Sequence, residues 1–405
     1  MDYCKIFEFL MYILIVIGSA ISLEFKYHTQ YELEEILYAL SENVTDPIQA
    51  RIYSIGKSTE GRDLLVFELT AARNNSNIVP NIQLIGNIHG NEPPGREILL
   101  HFIEYLIDNY HKEELIRWLL DNSRLHILPC LNPDGFNVAE PGDCVGINGR
   151  NNAKDMDLNR NFPDFISEDD KNEEQVETTS MRNWMDNITF VLSGDIHSGA
   201  IVAIYPFHRI EKSKYGYEMQ SSITPDNNIL EHLASIYSIN NEIMHQQSIF
   251  CDNEKFAGGI TRGAAWYYFL GGMQDYSYMV HNTMSLTFEI SCCKYPPENE
   301  LSNLWEQNKN SLIFFCLQAN KGVTALITDA ETKIAISNSN ITILGIDKAF
   351  RSNRDGRFWK ILLPGRYYLR VEAQGYQSVD ESFFVENEEE DFNKLTVLEI
   401  EMNRI

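Results

Sequence analysis

Apolar positions along this chain change period several times, and each change marks an element. Leu33, Ile36, Leu37 and Leu40 fall at helical spacing and predict an amphipathic helix over residues 30–41. Arg51 to Ser54 and Leu64 to Thr70 are strand-like, separated by the turn Thr59-Glu60-Gly61-Arg62. Asn81-Ile82-Gln83-Leu84-Ile85 is a short β-rich apolar run that predicts a buried strand. Helical spacing returns from Glu97 to Tyr110, through Ile98, Phe102, Tyr105 and Leu106, and again from Glu113 to Leu120. Three further strands are predicted: Leu125 to Leu128, Ile188 to Ile196 with His197 at its end, and Met284 to Ile290 carrying Glu289. Helices are predicted across Asn228 to Gln246 and Glu298 to Gln318. Such alternation predicts an α/β domain with a mixed sheet and helices on both faces.

Beyond Lys321-Gly322 the helical pattern stops. Val323 to Thr328, Ile341 to Leu344, Gly356 to Trp359, Tyr367 to Glu372 and Leu395 to Ile400 are short alternating runs between turn signals. They predict a small antiparallel β-sandwich over residues 322–405. Residues 23–321 form the larger α/β unit in this division. The acidic runs Ser167 to Glu177 and Glu386 to Asp391 read as solvated surface, the second at a hairpin tip. Asn132 to Pro163 is rich in Gly, Asn, Asp and Pro; so long an irregular stretch in a compact domain points to function.

The apolar run Phe9 to Ile17, followed by Gly18-Ser19-Ala20, predicts a signal peptide over residues 1–22. Lys5 is the sole basic side chain ahead of it, so an uncleaved anchor is the alternative. No later stretch is long enough to span a membrane, so none is expected after cleavage. A secreted protein follows, found outside the cell or in a vesicle lumen. Sequons at Asn43, Asn74, Asn187 and Asn340 fit that route. Cys130, Cys144, Cys251, Cys292, Cys293 and Cys316 remain after cleavage, enough for three disulfides, with adjacent Cys292 and Cys293 bonded to different partners. A net charge of −25 argues against nucleic acid as a partner. A monomer is expected.

The chemistry starts at Asn87-Ile88-His89-Gly90-Asn91-Glu92, a turn between the predicted strand at 81–85 and the helix that follows. In open α/β sheets ligands bind at that edge. An imidazole and a carboxylate there can share a zinc ion, which in catalytic sites takes three protein ligands. His197, at another strand end, can supply the third. In Asp157-Leu158-Asn159-Arg160-Asn161-Phe162-Pro163, the Arg160 fork and the Asn159 amide suit a carboxylate. Arg150, in Gly149-Arg150-Asn151-Asn152-Ala153, is a cation that can stabilise an oxyanion near the metal. Glu289 interrupts an apolar strand; beside a metal-bound water its role would be general base.

This ordered set, with Asn132-Pro133-Asp134-Gly135-Phe136 and Gly272-Met273-Gln274-Asp275, resembles the zinc metallocarboxypeptidases of the regulatory subfamily, carboxypeptidases E, D, N and M. The segment with Leu363-Pro364-Gly365-x-Tyr367 and Gly375-Tyr376 resembles that subfamily's transthyretin-like domain. The resemblance implies one zinc held by His89, Glu92 and His197, and hydrolysis of single residues from peptide or protein C-termini. It implies that Asn159 and Arg160 grip the terminal carboxylate, Arg150 polarises the scissile carbonyl and Glu289 moves the proton. Tyr267, in Ala265-Trp266-Tyr267, matches a capping tyrosine, and Gln274 the floor of the specificity pocket. The resemblance also implies a preference for C-terminal Arg or Lys. One position departs: Tyr205-Pro206-Phe207-His208 stands where the subfamily has Tyr-Pro-Phe-Asp, which leaves the residue preference open. The alternative function is a non-catalytic peptide-binding protein that keeps the fold.

Overall fold

Asn81–Gly86 (β3) is apolar on both faces, which suits a strand covered on both sides, and it lies at the heart of an eight-stranded mixed sheet. The computed structural model describes residues 23–72, 79–164, 173–210, 212–213, 216–217, 222–247, 251, 254–386 and 395–405. Residues 1–22 (expected to be a signal peptide), the Asn74 sequon, most of the first acidic run and most of the second lie outside the described residues.

Helix α1 (Gln30–Glu42) opens with a capping box in which Thr29 and Glu32 bond each other's backbone. Strands β1 (Gln49–Lys57) and β2 (Asp63–Thr70) form a hairpin, and β3 leads into α2 (Pro94–Asn109). Helix α3 (Glu114–Asn122), β4 (Arg124–Leu128), α4 (Pro133–Val138) and α5 (Val176–Asn187) precede β5 (Phe190–His197) and β6 (Ala200–Tyr205). A small hairpin, β7 (Lys212–Ser213) with β8 (Gly216–Tyr217), leads to α6 (Asn227–Ile239) and α7 (Glu242–Gln246). Strand β9 (Ile260–Arg262), α8 (Gly263–Trp266), α9 (Met273–His281), β10 (Met284–Ser291) and α10 (Leu301–Leu317) complete the larger unit. The sheet order is β1-β2-β4-β3-β5-β10-β6-β9, with β4, β3, β5 and β10 mutually parallel.

The single helix expected over 228–246 is two helices. Asn240 ends the first, and the Asn241 side chain accepts from Met244 N at 3.1 Å to start the second. Helices α4, α5, α8 and α9 and strands β6 and β9 were not expected; α4 and α8 are too short to show a periodicity. Glu177, at the end of the run expected on the surface, is fully buried and accepts from Thr59 N at 2.7 Å and Asn152 Nδ2 at 3.1 Å. Two disulfides form, Cys144–Cys293 and Cys251–Cys292, while Cys130 and Cys316 are free, buried thiols.

The remaining strands make two facing sheets. One is β14 (Arg357–Lys360), β11 (Val323–Asp329) and β17 (Thr396–Met402); the other is β13 (Ile346–Arg351), β12 (Asn340–Ile343), β15 (Gly365–Glu372) and β16 (Val379–Val385). The arrangement is all-β but not wholly antiparallel, because β11 and β17 pair in parallel. Strands β13 and β16 were not foreseen: few of their residues are buried, so no clear alternation marks them. One apolar cluster runs from the large sheet into the sandwich. Across the joint, Lys360 Nζ lies 2.8 Å from Asp226 Oδ2, both side chains being almost fully buried. Tyr278 also donates to that oxygen at 2.8 Å.

Candidate active site

The turn after β3 begins at Asn87, whose φ of 59° lies in the left-handed region that Asn tolerates better than most residues. Its amide donates to His89 O at 2.7 Å and Gly90 O at 3.1 Å, which fixes the turn and aims His89. Helix α2 then starts at Pro94, a favoured first-turn residue. Gly95 lets that helix approach β5: a Cβ there would sit 2.8 Å from Ile196 Cβ. The same close packing brings Glu92 to the end of β5, where His197 emerges.

His89, Glu92 and His197 are all buried, and their candidate ligand atoms lie within 4.8 Å of one another. Glu92 Oε2 is 2.7 Å from His197 Nδ1 and 3.1 Å from His89 Nδ1. Each ring turns its other nitrogen to a carboxylate: His197 Nε2 to Asp195 Oδ2 at 2.8 Å, and His89 Nε2 to Asp157 Oδ1 at 3.1 Å. With Nε2–H spent as a donor, the His197 Nδ1 lone pair faces the Glu92 oxygen, and that of His89 faces both this oxygen and Arg150 Nη1 at 3.2 Å. Three electron-rich atoms so placed need a proton or a cation between them. The electrostatics agree. Burial alone would raise the Glu92 pKa, yet His89 and His197 hold it well below the carboxylate range. Burial would lower that of His197, yet Asp195 and Glu92 raise it well above the usual value. Two imidazoles and one carboxylate, each ring held from behind by another carboxylate, fit a zinc ion. Asp157 and Asp195 were not singled out as ring holders. Asp195 was discoverable, since it lies two residues before His197 on the same strand face.

Arg150 borders this cluster. Its Nη1 is 3.1 Å from Glu92 Oε1, and its Nε and Nη2 are 3.1 and 3.0 Å from Asp157 Oδ2. Disulfide Cys144–Cys293 ties the loop before Arg150 to the segment that leaves β10. Glu289 pairs in register with His197 across β10 and β5. Its Oε2 is buried without a hydrogen-bond partner. Burial pushes its pKa up to about 8, His197 and Arg150 pulling against Glu92.

The side chains expected to hold substrate lie next to these. Asn159 Oδ1 accepts from Met273 N at 3.0 Å, which leaves the amide NH2 as its outward group. The Arg160 guanidinium lies over the Phe269 ring, 3.4 Å from its centroid. Tyr267 is 42% exposed and stacks on Phe269 at 5.7 Å. Burial and Glu289 push its phenol up to about 12, against Arg160 and Arg150. His208 lies 4.3 Å from Phe269 between ring centroids, and Gln274 bonds Thr287 Oγ1 through Oε1 at 2.7 Å. The metal cluster, Arg150 and Glu289 lie toward the C-terminal ends of β3, β5 and β10, while His208 follows the opposite-running β6 and Gln274 reaches Thr287 within β10.

A metal-ready cluster at the parallel strand ends, beside a paired guanidinium and amide, is an arrangement that suits a metallopeptidase. The comparisons narrow this. The family described as zinc carboxypeptidase matches residues 36–311, and the carboxypeptidase regulatory-like domain matches residues 322–397. Carboxypeptidase M of Mus musculus is 37% identical over 362 residues, covering 88% of this chain and 80% of that protein. The carboxypeptidase N catalytic chain of Homo sapiens is 34% identical over 397 residues, covering 90% and 84%. Carboxypeptidase D of Homo sapiens is 38% identical over 374 residues; the match covers 90% of this chain but 26% of that longer protein. Among solved structures, thrombin-activatable fibrinolysis inhibitor aligns with a TM-score of 0.56 at 19% identity, over 72% of this chain and 74% of that one. That likeness concerns the fold. The chain belongs to the zinc carboxypeptidase family, and its relatives are carboxypeptidases of the regulatory type. No helix among the described residues is long and apolar enough to cross a membrane.

Proposed function

We propose that the protein is a secreted, monomeric, zinc-dependent exopeptidase that releases single residues from peptide or protein C-termini. In this reading residues 1–22 are a signal peptide, 23–321 the catalytic domain and 322–405 the transthyretin-like domain. The carrying observation is the convergence of His89, Glu92 and His197, each ring braced by its own carboxylate. His89 Nδ1, Glu92 and His197 Nδ1 would hold the zinc. When bound, the ion acidifies water and polarises a carbonyl, the chemistry that hydrolysis at neutral pH needs. Arg160 and the outward NH2 of Asn159 bind the free C-terminal carboxylate, so internal peptide bonds are not presented for cleavage. Arg150, held by Asp157 and Glu92, faces the oxygen on which charge develops. Glu289 takes a proton from the attacking water and passes it to the leaving amine. Its Oε2, buried and without a hydrogen-bond partner, is free to receive that proton. Tyr267 closes over the bound residue, and His208 and Gln274 line the pocket for its side chain.

The test is hydrolysis of peptides ending in Arg, Lys, Leu, Gln and Glu, with and without a chelator. Turnover that disappears on chelation and returns with zinc supports the reading; turnover untouched by complete zinc removal overturns it. The alternative, a non-catalytic peptide-binding protein, predicts binding without turnover.

A further inference from the structure

Helix α9 touches the substrate side of the site with its first turn and the β-sandwich with its last. At the start, three consecutive residues each hold a different part of the site. Met273 N donates to Asn159 Oδ1 at 3.0 Å. Gln274 Oε1 accepts from Thr287 Oγ1 at 2.7 Å. Asp275 accepts from the backbone N–H groups of His208 and Arg209, both at 3.0 Å. All three residues are buried. The first of these bonds decides which way the Asn159 amide faces, since it commits the oxygen and turns the NH2 outward.

The other end is held from outside the large unit. A helix leaves its last carbonyls without donors of its own. Here the chain's own turn takes two of them: Asn282 N donates to Tyr278 O at 3.1 Å and Thr283 N to Ser277 O at 3.2 Å. The next, Met279 O, accepts from Lys348 Nζ at 3.2 Å. The same ammonium lies 5.2 Å from the centroid of the Tyr278 ring. Lys360 Nζ stands 3.4 Å from Asn282 Oδ1, while its main partner is Asp226 at 2.8 Å. Lys348 belongs to β13 and Lys360 to β14, so each sheet of the sandwich brings one cation to the negative end of the helix dipole. The strut between the two ends is nine residues of helix, roughly 13 Å. Close-packed interiors transmit displacements over such a length.

We propose that Lys348 is a positioning residue for the carboxylate grip: by holding the last turn of α9, the β-sandwich sets where Asn159 presents its amide. The proposal rests on the exopeptidase reading above, in which Asn159 and Arg160 bind the free C-terminal carboxylate. It gives the sandwich a part in substrate binding without any of its residues touching substrate.

The experiment uses zinc-loaded full chains of wild type, Lys348→Met and Lys348→Arg. Met keeps the aliphatic stem of this half-buried side chain, so the fold is retained. Calorimetry in the Glu289→Gln background measures blocked dipeptides ending in Arg and in Leu, each as free acid and as C-terminal amide. Steady-state kinetics on the free acids give kcat and KM separately. Lys348→Met should lose about three- to tenfold of the preference for acid over amide, and KM should rise by a similar factor. Its kcat and zinc affinity should stay unchanged. Lys348→Arg, which keeps a cation and donors, should recover most of the loss. In an Asn159→Ala background, Lys348→Met should have no further effect on the preference, as expected of residues that act through one contact. A lower melting temperature with KM and the acid-over-amide preference unchanged makes Lys348 a structural contact only and overturns the proposal. So does a loss that multiplies in full onto that of Asn159→Ala. A wild type that binds acids no better than amides fails the exopeptidase reading itself; one that discriminates, with Lys348→Met discriminating equally well, fails this proposal alone.

Discussion

The two ends of the site differ in how their histidine rings are held. At the metal end both rings are braced: His197 by Asp195 and His89 by Asp157. At the pocket end, His208 Nδ1 and Gln274 Nε2 are buried with no protein partner. The first end is built to hold its atoms still before anything binds, and the second is completed by whatever side chain enters. A histidine elsewhere sharpens the contrast. His126, inside β4, meets neutral partners, Tyr53 Oη at 2.8 Å and Asn81 Oδ1 at 3.2 Å. Burial, with Arg124 and Arg51 nearby, pulls its pKa down to about 3. Three buried environments thus give one residue type three tasks: braced, neutral and structural, or available.

The largest expected effect comes from the group between the two ends. Glu289→Gln should lower kcat by about 10²–10⁴-fold while peptide and zinc binding persist, measured by steady-state kinetics and calorimetry. Full activity in that variant would remove Glu289 as the proton carrier. Next comes the neutral histidine. Its pKa is lower in the fold than in the unfolded chain, so the unfolded state binds more protons between about pH 6.5 and pH 3. The stability contributed by neutral His126 is therefore complete above about pH 6.5 and falls with pH through that window, by about 1.4 kcal/mol per pH unit. Denaturant titrations across pH should show the wild type losing more stability on acidification than His126→Gln; parallel curves would refute this.

Loosening one brace tests the metal end directly. Asp195→Asn should weaken zinc binding by about 10–100-fold with the fold retained, read by competition with a chromophoric chelator. An unchanged affinity would mean that the carboxylate behind His197 is not tuning it. The smallest effect is expected at the pocket wall. Gly263→Ala intrudes on the His208 ring and should change the ratio of kcat/KM between peptides ending in Gln and Leu, with zinc affinity unaltered. A change in zinc affinity instead would show that the two ends are mechanically coupled.

Much of this arrangement was legible because the site residues sit at ends of strongly patterned strands. β3, β5 and β10 are apolar runs, so a His or Glu at their margins stands out. Their convergence followed from motif order, and the comparisons support the fold and family so deduced. The braces were less visible, because Asp157 and Asp195 read as ordinary loop and strand polar residues until a ring is placed against them. Strands β13 and β16 escaped notice because most of their residues are exposed or half-buried, so no buried alternation announces them. The state of the cysteines was also closed to sequence arithmetic. Cys130 donates to Asn87 Oδ1 at 3.3 Å from within the core, and Cys316 lies buried in α10, so an even count yielded two bridges and two thiols.

The ammonium of Lys360 belongs to the sandwich and the carboxylate of Asp226 to the larger unit, so each half carries part of the other's interior. A truncation after residue 321 would strand that anion beside Tyr278 without Lys360 and open the apolar cluster that the two units share. For anyone preparing this protein, the seam between the halves is a poor place to cut: the shortened chain should be recovered mainly as aggregate, and Asp226→Asn, which removes the stranded charge, is the first repair to try.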